Sequence, residues 1–327
     1  MREVRRRLLI LGAVLATGLV GRAVAAQPAR LIKIGALSDA WGPTHEIVGL
    51  RDGLHALGYQ ENKDFVIGVR YTQGGAAELP AAARDLVRHG VDIVFATGGG
   101  GAAKAAQAAT QGIPIVFAEV SDPVGMGLVK SFARPGGNLT GIADLESELA
   151  PKRMEIFREI VPGLKRVLLV YDATNAEAVE KLAIYRDAAR RLGLTLLERP
   201  VRSEEEARAT LTGIRKDEAD GLLSPRFVSL NIPGLINEIA WKRAIPTMFH
   251  HPFFVERAGL ASYSASPHEL GRQAARLVDK IIKGAKPADL PVEQPTKFEL
   301  VINMKTAKAL GIKIPQTVLV RADRVIE

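Results

Sequence analysis

The chain has 327 residues, no cysteine and a formal charge of +8. Without disulfides or thiolate metal sites its stability must come from a hydrophobic core, and the length suits two domains. The charge does not mark a nucleic-acid binder. Arg2, Arg5, Arg6, Arg7 and Arg22 against Glu3 place half of it in the first 26 residues, leaving about +4 over the rest.

Those 26 residues have the anatomy of an export signal: a basic start, an apolar stretch from Leu8 to Val20, and small residues at Ala23-Val24-Ala25-Ala26. The apolar stretch is short for a bilayer span, and no lipid-attachment cysteine follows it. The expectation is a cleaved signal peptide over residues 1–26 and a periplasmic product that is not lipid-anchored. An uncleaved anchor, or twin-arginine export through Arg5-Arg6-Arg7, is the alternative.

The remaining sequence alternates strand and helix. Leu31 to Leu37 reads as a strand ending at Ser38-Asp39, and Trp41-Gly42-Pro43 as a loop. Ile47, Leu50, Leu54 and Leu57 stand at helical spacing before Gly58. Phe65 to Tyr71 is a second strand and Leu79 to Arg88 a helix closed by Gly90. Val91 to Ala96 is a buried strand, followed by Thr97, four glycines (Gly98 to Gly101) and an alanine-rich helix to Thr110. Ile113 to Val120 is a fourth strand, ending at Ser121-Asp122-Pro123. This β-α-β-α-β-α-β order predicts a doubly wound parallel sheet.

Arg134-Pro135-Gly136-Gly137-Asn138 breaks the pattern, and Leu139-Thr140-Gly141 reads as a crossing to a second half. The layout then restarts: a helix from Ala150 to Val161, a strand from Arg166 to Tyr171 with Asp172 in its loop, a helix from Glu177 to Leu192, and a strand from Leu194 to Pro200. Ser203 with Glu206 resembles a capping box for the next helix. Gly221 to Leu223 is a strand before Ser224, Ile232 to Lys242 a helix with Trp241 in its core, and Ile245 to Phe249 a strand before His250-His251. Leu260 to Ser264 reads as a second crossing, Pro267 to Lys283 as a long helix, Phe298 to Asn303 as a third crossing, and Gly311 to Glu327 as a tail. The predicted division is 27–141 with 264–296 in lobe 1, and 142–263 with 297–327 in lobe 2. The halves share architecture without a residue-level repeat.

Ligands of open α/β sheets sit at the carboxyl ends of strands, so the candidate binding residues gather there. Thr97, Gly98 and Gly99 precede a helix N-terminus and offer N–H groups to a carboxylate, or else form only a tight turn. Glu119, Ser121 and Asp122 could pair with a ligand ammonium group, or Asp122 could cap the next turn. Ser38 and Asp39 carry the same ambiguity. Trp41, Tyr171, Phe249 and Tyr263 are candidates for a stacking wall, with core packing the default for Phe249. Thr140, Asp172, Ser224 and His250 complete the candidate set. A metal reading of His250-His251 lacks a carboxylate at ligand spacing, so no metal is expected. Gly98-x-Gly100-x-x-Ala103 with Glu119 also fits a dinucleotide fingerprint, but it is not in the first βα turn. No hydrolase motif appears, and no cofactor or catalytic residue is expected.

The stretch Asp122-Pro-Val-Gly-x-Gly-Leu-Val-x-Ser-x-Ala-Arg-Pro-Gly-Gly-Asn-x-Thr-Gly141 resembles the signature of ABC-transporter substrate-binding proteins, in a type I periplasmic branch that includes binding proteins for aromatic amino-acid uptake. Gly284 to Thr296, Ile302-Asn303 and Ala309-Leu310-Gly311 are similar to it as well. The resemblance implies two lobes joined by three crossings near Thr140, Tyr263 and Phe298, capture of a small solute such as an amino acid or other carboxylate, and delivery to an inner-membrane ABC permease. A non-enzyme, monomeric and without a nucleic-acid partner, is expected. A nucleotide-binding periplasmic enzyme and a ligand-sensing subunit are the alternatives. The chain departs from the family at four glycines after the third strand, at Asp172-Ala173 and at Ser264, all at strand ends.

Overall fold

A computed structural model describes residues 30–327, save 41, 43, 74, 216, 225, 227 and 228. The expected signal peptide and Trp41 lie outside the described residues.

Lobe 1 begins with β1 (Ile32–Ser38), α1 (His45–Ala56), β2 (Phe65–Tyr71), α2 (Leu79–Arg88), β3 (Ile93–Thr97), α3 (Gly100–Ala109), β4 (Ile115–Val120) and β5 (Leu139–Ala143). Its strands form one parallel sheet in the order β2-β1-β3-β4-β5. The continuous apolar run of β3 is explained by its two covered faces. Ile93 and Phe95 pack with Ile47 and Leu50 of α1, while Val94 and Ala96 pack with Leu86 of α2 and Ala102 of α3.

The chain then builds α4 (Glu146–Ile160), β6 (Arg166–Asp172), α5 (Ala176–Leu192), β7 (Thr195–Val201), α6 (Glu204–Gly213), β8 (Gly221–Leu223), α7 (Ile232–Arg243), β9 (Thr247–Phe249), α8 (Pro252–Val255) and β10 (Ala261–Ala265). It returns to lobe 1 for α9 (Pro267–Ile282) and ends with β11 (Phe298–Asn303), α10 (Met304–Ala309), α11 (Gln316–Leu319) and β12 (Arg324–Ile326). The second sheet runs β12-β11-β10-β9-β8-β6-β7. It is parallel except where β10 meets β11, because the chain leaves and re-enters the lobe between those strands. Val167 and Leu169 pack against Phe157 of α4 and Tyr185 of α5; Leu168 and Val170 pack against Leu211 of α6 and Leu235 of α7. Both lobes are thus doubly wound, as expected.

Four details differ from the sequence reading. Helix α4 starts one turn early, because Asp144 Oδ1 accepts from the Glu146 N–H at 3.0 Å. The supposed tail contributes β12 to the second sheet. Trp241 is half exposed: it lies about 180° round α7 from Ile232, Leu235 and Ile239, which face the core. Thr140, Tyr263 and Phe298 are strand residues rather than crossings. The chain passes between the two sheets beside them, at Asp144 after β5, Ser266 after β10 and Lys297 before β11, and the last two are joined by a Ser266 N–H to Lys297 carbonyl bond of 2.9 Å.

Helix α9 closes lobe 1 by packing on α1 through glycines. A Cβ on Gly271 would stand 2.0 Å from the Glu46 carbonyl oxygen, and one on Gly49 would stand 1.9 Å from that of His268. Ser203 Oγ accepts from the Glu206 N–H at 3.1 Å, as the capping pattern predicts.

Candidate functional site

The carboxyl ends of β1, β3 and β4 face those of β8 and β9 across a buried polar cleft, and side chains from the two sides touch. After β8, Arg226 reaches over: its Nε donates to Asp144 Oδ2 at 2.9 Å, a second guanidinium nitrogen bonds the Glu119 carbonyl, and Nη1 stands 3.9 Å from Glu119 Oε1. Asp144 also accepts from Ser121 Oγ at 3.1 Å. After β9, His251 Nε2 lies 3.4 Å from Glu46 Oε1 in the first turn of α1.

Glu119 is held in an unusual way. Its φ of 63° is left-handed, and the register between β4 and β5 shifts around it. Such a conformation costs on the order of 1–3 kcal/mol. It turns the Glu119 carbonyl to Arg226 and leaves its carboxylate, 7% exposed, without a hydrogen bond from any described residue. Burial and the nearby Glu46 charge push Glu119 up to about 7. Glu46 is also buried, which opposes its charge, but the His251 hydrogen bond prevails and holds it down at about 2. His250 is driven well below its ordinary value by burial and then by Arg153; its Nδ1 lies 3.5 Å from Ser224 Oγ. Asp39 is raised by burial, with Arg226 working against that.

Glu46, Glu119 and His251 each offer an atom within 4.8 Å of the others. The expectation that no carboxylate supports this histidine pair is therefore corrected: the carboxylates arrive from α1 and β4. The trio nonetheless makes a poor metal centre. His251 Nδ1 accepts the Phe253 N–H that starts α8, at 3.1 Å, so the ring proton of the neutral form sits on Nε2 and faces Glu46. Neither nitrogen has a free lone pair for a metal.

The other candidates divide. Ser38 and Thr97 are fully buried at their strand ends; Ser38 Oγ accepts from the Ala40 N–H, while Thr97 Oγ1 has no partner among the described residues. Gly98 and Gly99 have φ of 93° and 124°. A Cβ on Gly98 would lie 2.5 Å from Asp39 Oδ1, and one on Gly99 would lie 3.9 Å from Arg226 Nη2, so this loop borders the cleft. Asp122 is exposed and caps its own turn through the Gly125 N–H at 2.8 Å. Thr140 spends its hydroxyl on the Leu290 carbonyl at 2.8 Å. Asp172 accepts from both the N–H and hydroxyl of Thr174. Tyr171 packs with the α4–α5 core, and Phe249 is buried and stacked on Phe254. Tyr263 lies beside Phe298, ring centroids 6.5 Å apart. Tyr171, Phe249 and Tyr263 are therefore each engaged in separate packing rather than joined in one wall, and Trp41 lies outside the described residues. The glycine fingerprint is occluded, since a Cβ at Gly100 would meet the Met126 side chain at 2.1 Å.

Sequence reasoning missed Glu46, Asp144 and Arg226. It also missed the brace behind them. Arg153, fully buried, donates twice to Glu146 at 2.8 and 3.0 Å and from Nε to the Tyr263 carbonyl at 3.0 Å; Tyr185 donates to Glu146 at 2.9 Å. This ties the first crossing to the strand that leads into the second.

Two doubly wound lobes with facing strand ends and three crossings define a type I periplasmic binding fold. The chain belongs to the ABC transporter substrate binding protein family, whose model matches residues 41–326. It is 26% identical over 267 residues to the tyrosine-binding protein of Clostridioides difficile strain R20291, covering 81% of this chain and 76% of that one. A Streptococcus pneumoniae ABC domain solved in complex with L-Trp shares 29% identity at a TM-score of 0.79, covering 90% of this chain and all of the other. A conserved domain protein from Vibrio cholerae O1 biovar El Tor shares 30% identity at 0.78, with the same coverage.

Proposed function

We propose that this protein captures a small carboxylate-bearing solute of the amino-acid kind in the periplasm and presents it to an inner-membrane ABC permease. The observation that carries this reading is the meeting of Arg226 and His251 from one lobe with Glu119, Asp144 and Glu46 on the side of the other. A cleft closed by mixed charges suits a zwitterion, and the tyrosine- and tryptophan-binding relatives support that class. The N–H groups after Thr97, together with Arg226, are suited to the carboxylate. Ser38, Asp39, Gly98, Gly99, Ser224 and His250 line the strand ends around them. Closure is favoured only by contacts made to both lobes at once. The protein acts as a monomer, without catalysis, after removal of its first 26 residues.

Thermal-shift screening of mature protein against amino acids, organic acids and sugars tests this. A ligand at a hundred times its Kd adds about 2.7 kcal/mol of stability, a shift of several degrees. Stabilisation by sugars alone would refute the amino-acid reading.

A further inference from the structure

Glu119 is 7% exposed, and its carboxylate accepts no hydrogen bond from a described residue. Its nearest cation, Arg226 Nη1 at 3.9 Å, belongs to a guanidinium already committed to Asp144 at 2.9 Å. A Glu46 oxygen lies within 4.8 Å of the Glu119 carboxylate, a gap one ammonium nitrogen bridges with an N–H···O bond of about 2.9 Å on each side. The neighbouring strand β3 ends in Thr97, whose hydroxyl is fully buried and unpartnered. By strand alternation Thr97 shares the sheet face of Ile93 and Phe95, which α1 covers and on which Glu46 stands. Two carboxylates thus stand within reach of a single ammonium group, beside a strand end whose own hydroxyl has no described partner.

We propose that Glu119 is the ammonium seat of the cleft, and that a ligand's primary ammonium group displaces the proton the empty site keeps there. The inference rests on the amino-acid reading above and deepens it: binding is an exchange of one proton for one ammonium group. Protonated Glu119 gives its proton to solvent, and the carboxylate so formed accepts a hydrogen bond from the –NH3+ group. No bond to carbon changes. The groups facing Glu119 are Glu46 from α1, His251 at the start of α8, Arg226 after β8 and Asp144 after β5. Glu46 and Asp144 add negative charge and favour a cation here, while Arg226 and His251 add positive charge and work against it. Burial and these neighbours place the Glu119 titration at about 7, so the exchange falls within the physiological range.

Calorimetry of L-tryptophan and L-tyrosine binding, in buffers of different ionisation enthalpy at pH 6 and pH 8, reads the proton directly. The expected result is release of close to one proton at pH 6 and little at pH 8, with affinity falling about tenfold per pH unit below about 7. The des-amino analogue 3-indolepropionate should bind wild type at least tenfold more weakly than L-tryptophan and release no proton. Glu119→Gln should weaken L-tryptophan at least tenfold while leaving the analogue unchanged. Amino-acid binding without proton release in wild type, or equal affinity for L-tryptophan and its des-amino analogue, overturns the seat. If neither compound binds but another organic acid does, solute capture stands and the ammonium seat fails.

Discussion

At the scale of the residue, Glu119 shows what burial does to a carboxylate. Because the fold raises its proton affinity, the folded chain binds more protons than the unfolded one between the ordinary glutamate value and about 7. Stability from this group is therefore greatest at the acid end of that window and is lost as pH rises through about 7. His250, held neutral by burial, contributes the opposite slope below its ordinary value. The clean measurement is the difference between wild type and Glu119→Gln. The wild type should lose on the order of 2–3 kcal/mol relative to the variant between pH 4.5 and 8, read from urea midpoints. Parallel pH profiles would contradict the burial argument. Glu119 itself was legible in the sequence as a polar residue ending an apolar strand. Its left-handed conformation was not, since nothing but the partner strand's register reveals it.

At the scale of the element, the two helices that meet through glycine explain why α9 belongs to lobe 1. Gly271→Ala drives a methyl group into the Glu46 carbonyl, with a predicted loss of about 1–3 kcal/mol, measurable as a lower Tm. Because Glu46 is displaced too, ligand affinity should fall with it. The Arg153–Glu146 brace behaves differently. Arg153→Ala strands a buried carboxylate and should cost about 3–5 kcal/mol, whereas Arg153→Met with Glu146→Leu should recover much of that loss. Failure of the double variant to exceed the single one would show that the brace contributes more than charge compensation. The sequence shows both residues only as ordinary charges near a helix start. They are seven positions apart, and only the passage of the chain between lobes brings a third partner, the Tyr263 carbonyl, to them.

At the scale of the molecule, the lobes are held together across the cleft by Arg226 and His251. Arg226→Ala removes the bonds to Asp144 and the Glu119 carbonyl, and the ligand-free protein should open. Small-angle scattering would then give a larger radius of gyration for the variant without ligand, and the two should converge at saturating ligand. Equal radii without ligand would assign closure to the crossings instead.

Two α/β halves, their strand ends and the family likeness follow from local signals: apolar runs, helical spacing and glycine breaks depend on neighbours within a few residues. On that basis Ser38, Thr97, Gly98, Glu119 and Ser224 could be placed at strand ends. Which of those ends meet charged groups from the other sheet was decided by tertiary structure alone. Arg226, Glu46 and Asp144 come from separate segments, and their proximity is a property of two sheets brought face to face. Asp122 and Asp172 look equivalent to them in sequence, but each is consumed by a hydrogen bond within its own turn, and Thr140 is consumed by the distant Leu290 carbonyl. A side chain's chemistry is set by what surrounds it, and for a cleft between lobes those surroundings come from parts of the chain a hundred residues away.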